Sequence, residues 1–430
     1  MARKLRVAWF SPLAPAGSKG AYASRMLLPL LEQWCAIDLF HDSLTQFEGR
    51  SVAPFLSAFD RHTRNPYDIF FYQLEDGRHS YFSRVHLGLI PGVVWMHDFF
   101  LSDYGPEPIL NSAWHETVKK FRERKHPWCA HDMKHKPKGP HAHREAALAG
   151  VKIFSSERDH SEYRRSIEVS LLPTTARSYY IPLPGTFPKV APAYLSDENS
   201  VVRIAYCGAP RIEDRAESLL QALQVAQAGG GIHLTWLIDT SERGEAQALI
   251  HDAGLTDSGT TRVTVIEGRN PERWCEIVSQ STLAIHTRFS VFGQLGPYLN
   301  ISLAAGIPSV VCNFGHGELL PSALVCKISC GTSASRELSK IIETAHKIKA
   351  ACGDSIADFG VEMFQREVIA RELMSVFEAS RPALASLAGR WSAFEREAKI
   401  ALSEEAKSHF ASDLFGSAAI NDAYRELGWD

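Results

Sequence analysis

Short apolar runs alternate along the chain with longer stretches whose apolar positions recur every three or four residues. In the first half the runs are Leu5–Phe10, Ala36–Phe40, Asp68–Tyr72, Val93–Met96 and Val151–Phe154, each bounded by Gly, Pro, Asn or Asp. Between them lie amphipathic stretches such as Ala21–Gln33, where Leu27, Leu28 and Leu31 mark one helical face. Apolar strands separated by helices predict a parallel sheet covered on both faces. A Pro-containing stretch, Pro182 to Pro192, then leads into the polar run Ser196–Ser200, which reads as a linker.

The pattern then restarts. Val201–Cys207, His233–Ile238, Val263–Ile266, Leu283–His286, Ser309–Cys312 and Leu324–Ile328 read as six further strands with helices between them. From about residue 333 the chain is helical in pattern, with no strand signal after Ile328. The expected fold class is therefore α/β, two consecutive Rossmann-like doubly wound domains facing across a cleft, with a helical C-terminal tail. The expected boundaries are 1–185 for the first domain, 186–200 for the linker, 201–375 for the second domain and 376–430 for the tail. Sheets of this kind bind ligands beyond the carboxyl ends of their strands.

Composition narrows the classes. The 430 residues carry a net charge of −3, so no global basic field drives nucleic-acid binding. No apolar run approaches the roughly 18 residues a spanning helix needs. The basic start, Met1 to Arg6, precedes an apolar run of only Val7–Phe10, too short for a signal peptide and better read as a first strand. Eight widely spaced cysteines form no disulfide framework, so the cytoplasm is the expected location. No Gly-x-Gly-x-x-Gly follows either first strand, and no P-loop, nucleophile elbow or His-Glu-x-x-His motif occurs.

Several segments in order resemble a glycosyltransferase of family 4, a retaining enzyme with the two-domain GT-B fold. Phe10–Pro15 and Ser18–Pro29 resemble that family's first strand, loop and helix. Tyr67–Leu74, Pro91–Asp98 with its closing His97-Asp98, and Ile153–Glu157 resemble later strands of its first domain. Ile204–Gly208 with Arg211 and Arg215 resembles the strand and basic loop that hold a donor diphosphate, and Ser302–Val311 a Gly-x-Pro turn between helix and strand. The similarity runs over about residues 4–350. It implies a hexosyltransferase-like activity with a nucleoside-diphosphate sugar as donor, held on the second domain, and an acceptor glycan, lipid or small molecule on the first.

One departure matters. The family usually carries two glutamates separated by seven residues near the donor; here Ser290 and Ile301 fall at the corresponding places, with about three extra residues between them. Ser290, Gln294, Asn300 and the nearby Glu318 are the substitutes on offer for hydrogen bonds to the donor. The missing glutamates keep a second expectation open, a GT-B-fold protein that has lost transfer activity and serves as a binding or complex partner.

The chemistry needs a bound diphosphate, stabilisation of the leaving charge and an orienting pocket. Fixed cations and helix N-termini supply the first two without a metal, so no cofactor is expected. Phe292–Pro297 reads as a strand-to-helix turn whose N–H groups at Gly293 to Gly296 face an anion, or else as an ordinary capped helix. Arg211, Arg215 and Arg288 leave strand ends on one edge, where guanidinium forks grip phosphate. His97 and Asp98 end a strand, and a family-like role touches the donor sugar or the reacting face; the alternative for His97 is a histidine satisfied by backbone at a strand end. His79 is a second candidate of this kind. Ser18, Lys19 and Gly20 form a loop after strand one where a small residue lets a ligand approach the backbone.

Residues 119–144 hold nine Lys/Arg against two Asp/Glu, plus five histidines. Cys129, His131, His135, His141 and His143 match no common zinc spacing, so no metal site is assigned. The segment reads either as a solvated basic loop or as a contact for an anionic acceptor or the inner face of a membrane.

Overall fold

The computed structural model describes residues 3–15, 17–87, 90–99, 101, 142, 145–146, 149–169, 177–185, 201–211, 214–228, 230–255, 260–288, 296–382 and 384. The chain divides into two units, Pro182–Ile369 and a unit made of Met1–Ile181 together with Ala370–Asp430. The expected linker at 186–200 lies outside the described residues. The crossover back to the first unit falls at Ala370, inside a helix over residues 366–382, whereas the sequence pattern sets a tail apart from 376 onward.

The first unit holds β1 (Leu5–Phe10), α1 (Lys19–Leu31), β2 (Cys35–His41), β3 (Gln46–Phe47), β4 (Arg50–Pro54), α2 (Ala58–Arg64), β5 (Ile69–Leu74), α3 (Tyr81–Leu87), β6 (Val93–Met96), β7 (Val151–Phe154), α4 (Glu157–Val169) and β8 (Ser178–Tyr180). The eight strands lie in the order β3-β4-β2-β1-β5-β6-β7-β8, parallel except for the β3–β4 pair. In β1, β5 and β6 almost every position is buried, because both faces of the sheet are covered. Phe10 stacks on Phe40 and packs against Tyr72 on one face. On the other, Trp9 meets Phe71 at 4.3 Å, and Phe71 meets Phe377 at 5.2 Å. Cys35 Sγ lies 3.2 Å from Met374 Sδ on that side. Residues 374 and 377 thus supply part of this unit's core.

The second unit holds β9 (Val202–Cys207), α5 (Ala216–Val225), β10 (Ile232–Ile238), α6 (Arg243–Asp252), β11 (Thr261–Glu267), α7 (Pro271–Ser279), β12 (Leu283–His286), α8 (Gly296–Ala304), β13 (Ser309–Cys312), α9 (His316–Leu319), β14 (Val325–Ile328), α10 (Ala334–Glu343) and α11 (Ala345–Phe364). Its six strands are parallel, in the order β11-β10-β9-β12-β13-β14. Residues 182–185 are stitched to it: Gly185 N–H donates to Phe364 O at 2.9 Å, and Asn300 Nδ2 donates to Leu183 O at 2.8 Å. Among the described residues no helix is long and apolar enough to cross a membrane.

Candidate functional site

In the first unit the chain builds outward from β1 through β2 to β4, then returns to β5 on the other side of β1. The loops after β1 and β5 therefore part at one point of the carboxyl edge, the place where such sheets take ligands. Ser18, Lys19, His79 and Asp98 meet here around Glu75, a residue that the sequence patterns leave unremarked.

Ser18 is the N-cap of α1. Its Oγ accepts from Ala21 N–H at 3.0 Å and donates to Pro12 O at 2.9 Å. Lys19 and Gly20 are thus the first helical residues, not an open loop. A Cβ on Gly20 would stand 2.7 Å from Pro12 Cδ, so the small residue serves packing within the protein rather than a ligand's approach. The helix terminus is filled from inside as well. Glu75 Oε2 accepts from Lys19 N–H at 2.7 Å and from Gly20 N–H at 3.4 Å. Its other oxygen lies 2.5 Å from His79 Nε2. Lys19 Nζ donates to Asp98 Oδ1 at 2.5 Å and to His97 O at 3.3 Å, while Asp98 Oδ2 accepts from Asp76 N–H at 3.1 Å.

The charges respond to these contacts. Burial pushes the Glu75 carboxyl up, but the His79 hydrogen bond and the charges around it more than offset burial and hold it below its ordinary value. Burial pushes His79 down, and the Glu75 bond with the nearby carboxylates Asp98 and Asp76 raises it above its ordinary value. Asp98 is raised: burial outweighs the attraction of Lys19. Both shifts favour the carboxylate–imidazolium pair, with the His79 side chain 30% exposed and Glu75 4%. Gly77 makes room for it. Its φ is +142°, and a Cβ there would stand 2.5 Å from His79 Cε1.

His97 has a different fate. The ring is fully buried. Gln73 Nε2 donates to Ser24 Oγ at 2.9 Å, which leaves Gln73 Oε1 to accept from His97 Nε2–H at 2.6 Å. His97 Nδ1 lies 3.2 Å from Ser155 Oγ, and Trp9 Nε1 closes the network on Ser24 at 3.0 Å. Burial lowers the imidazole to about 3. Both nitrogens are taken by side chains, so the expected bond from His97 to a donor sugar has no ring nitrogen to make it. The expected backbone partners for the ring are replaced by the side chains of Gln73 and Ser155.

The second unit repeats the order reversal, with the switch between β9 and β12. Arg211 and Arg215 follow β9 and Arg288 follows β12, so all three lie on the carboxyl edge at that switch. Arg211 and Arg288 are exposed. Arg215 begins α5 with a left-handed backbone, φ 59°, and its guanidinium donates to Gly331 O at 3.1 Å. Asp214 sits among them; burial raises its carboxyl, against the pull of Arg288 and Arg269. Arg269, after β11, is bound to Glu242 at 2.5 Å and Asp239 at 3.5 Å. Its buried Nε and the buried Oη of Tyr298 have no hydrogen-bond partner among the described residues. Neither residue stands out in the sequence; a polar residue one or two places past each strand of a parallel sheet is the signal that finds Arg269 and Glu75 alike.

The proposed substitutes for the glutamates fare unequally. Asn300 turns its amide to Leu183 O and is buried, so it ties the unit together instead of facing a ligand. Ile301 is core. Glu318 is exposed on the four-residue α9 after β13, and its carbonyl accepts from Lys327 Nζ at 2.7 Å. Ser290, Gly293 and Gln294 lie outside the described residues, as does nearly all of 119–144. Among the described residues no group of three or more His, Cys, Asp or Glu is placed to hold a metal ion.

No family model matches the chain, and no curated protein matches it. Solved structures do. A sucrose-phosphate synthase from Thermosynechococcus elongatus superposes with a TM-score of 0.60 at 14% identity, over 87% of this chain and 99% of that one. HepE from Anabaena, in complex with UDP and glucose, gives 0.55 at 14% identity, over 87% and 100%. A glycosyltransferase from Rickettsia africae gives 0.57 at 11% identity, over 88% and 99%. The fold is that of the GT-B glycosyltransferases. At this identity the likeness concerns the two parallel-sheet domains and their helices.

Proposed function

We propose that the protein transfers a sugar from a nucleoside-diphosphate sugar to a hydroxyl acceptor, with retention at the anomeric carbon as the resemblance to family 4 implies. The second unit binds the donor and the first binds the acceptor. The observation that carries this reading is the set of Arg211, Arg215 and Arg288 at the switch point of the second sheet, where guanidinium groups meet a diphosphate and offset the charge of the leaving group. Arg269 Nε and Tyr298 Oη on the same edge, without a hydrogen-bond partner among the described residues, supply hydrogen-bonding capacity for the rest of a nucleotide. HepE, crystallised with UDP and glucose, is a structural neighbour consistent with such a donor.

The test is a thermal-shift panel of UDP, GDP and ADP and their glucose conjugates, with EDTA present. A ligand at 100 times its dissociation constant adds about 2.7 kcal/mol of stability, enough to move the transition visibly. A shift with at least one nucleotide in EDTA supports the reading. A flat panel, or shifts only with added Mg²⁺ or Mn²⁺, overturns the arginine-based donor site.

A further inference from the structure

At the switch point of the second unit, the chain between Arg211 and Arg215 hangs on one carbonyl. Asp214 O accepts from Tyr206 Oη–H at 2.8 Å and from Thr287 Oγ1–H at 2.9 Å, which fills both lone pairs of the oxygen. Tyr206 stands on β9 and Thr287 directly follows β12, so the two strands that flank the switch each send it one hydroxyl. Both residues are buried. The same peptide unit is tied on its other side, where Arg215 N–H donates to Arg211 O at 3.1 Å. Gly208 leaves the space through which the phenol reaches, since a Cβ there would lie on Tyr206 Oη, and Trp236 Nε1 holds that glycine by its carbonyl at 2.8 Å. Arg215 keeps its left-handed backbone, φ 59°, a conformation that persists where the surroundings over-determine it. Arg288 is the next residue after Thr287. One carbonyl therefore sets the register of three arginines: Arg211 through the bond to Arg215 N–H, Arg215 through the peptide itself, and Arg288 through its neighbour.

We propose that Tyr206 and Thr287 are positioning residues for the donor diphosphate, their hydroxyls holding the Asp214–Arg215 peptide so that the arginines stand ready before a nucleotide arrives; this rests on the transferase reading above. Both hydroxyl protons are committed to Asp214 O, so the two residues act through the arginines and not on the ligand. An arginine that grips an anion gives up rotamer freedom, and a backbone free to wander adds its own ordering cost to binding. Fixing the peptide within the fold removes that second cost. The two hydroxyls come from opposite sides of the switch, so the clamp also keeps Arg288, on the β12 side, in step with Arg211 and Arg215 on the β9 side.

The probe is whichever of UDP, GDP and ADP shifts the wild-type thermal transition most, titrated calorimetrically into the full chain in EDTA. Tyr206→Phe and Thr287→Val each remove one hydroxyl and keep the shape of the side chain. Each should weaken binding by about threefold or more, the scale of one hydrogen bond, and Thr287→Ser, which keeps its hydroxyl, should lose less than that. A loss of general stability would leave the share of binding that each arginine supplies as it is, so a double-mutant cycle decides. Arg211→Ala should cost about threefold less affinity in Tyr206→Phe than in wild type, with Thr287→Val as the second background if Tyr206→Phe is not folded by circular dichroism. A loss below about threefold in both folded single variants, or an Arg211→Ala cost unchanged by removal of the hydroxyl, overturns the clamp and leaves the transferase reading standing. A wild-type protein that binds none of the three nucleotides overturns both.

Discussion

Glu75 Oε2 and the Lys19 backbone N–H stand 2.7 Å apart, so a carboxylate of the protein itself occupies the first turn of α1, where a parallel-sheet domain often receives an anion from solution. The helix N-terminus, the Lys19 ammonium and the His79 ring are each matched to a carboxylate within the fold. Glu75→Ala should lower unfolding free energy by about 1.5–3 kcal/mol, the scale of hydrogen bonds to a charged group, measured by urea denaturation.

The same pair sets a pH window. The Glu75 carboxyl lies below its ordinary 4.5, so its contribution is complete above that pH and is lost as pH falls through the folded value. His79 lies above its ordinary 6.5, so its contribution is complete below 6.5 and is lost as pH rises through the folded value. The pair should therefore stabilise most between pH 4.5 and 6.5. The difference in unfolding free energy between wild type and His79→Gln should be largest near pH 5.5 and smaller at pH 9; a difference independent of pH would show that the two groups are not linked.

His97 should behave as core. His97→Ala and Gln73→Ala should each cost about 1–3 kcal/mol by stranding a buried partner, and the double variant should cost less than their sum because the first change already breaks the shared bond. Histidine resonances followed by NMR should show no titration of His97 between pH 5 and 8, since burial holds it near 3.

For the donor arginines, Arg211→Ala and Arg288→Ala should each weaken binding of the preferred nucleotide by about 1.5–3 kcal/mol. Arg288→Lys should recover part, because an ammonium lacks the fork. Arg215→Ala should act on stability as well as on binding, because its guanidinium is bonded to Gly331 O. Calorimetric titration against unfolding separates the two effects; equal donor affinity in all three variants moves the phosphate site elsewhere.

Gly77→Ala probes the seat of His79. The methyl would stand 2.5 Å from His79 Cε1, at a φ of +142° that alanine rarely adopts. The ring must swing out from a strained backbone, so Gly77→Ala should lower unfolding free energy by about 1–3 kcal/mol, measured by urea denaturation, with the deficit larger near pH 5.5 than at pH 9.

Strands buried on both faces were the most legible part of the chain. Leu5–Phe10, Val93–Met96, Val151–Phe154, Leu283–His286 and Ser309–Cys312 coincide with β1, β6, β7, β12 and β13, because an unbroken apolar run has no other place to go. β3, β4 and β8 escaped notice: they are two to five residues long, and the exposed or half-buried positions of β4 and β8 break any pattern. At the sites, arginines past strand ends could be placed from topology alone. The role of His97 could not, since its partners Gln73 and Ser155 lie 24 and 58 residues away. Glu75 was hidden for a similar reason, its meaning residing in a contact with Lys19 across 56 positions.

The passage of helix 366–382 from one unit to the other makes the second unit an insertion within the first, entering after Ile181 and leaving before Ala370. Phe71 and Cys35 are covered in part by Phe377 and Met374, residues translated nearly 200 positions after β8. On the ribosome the first domain cannot finish its core when its last strand emerges. It must wait, one apolar flank bare, until the whole of the inserted domain has been made. The order of completion is thus the reverse of the order of the N-termini: the domain that begins first in the chain is the last to close.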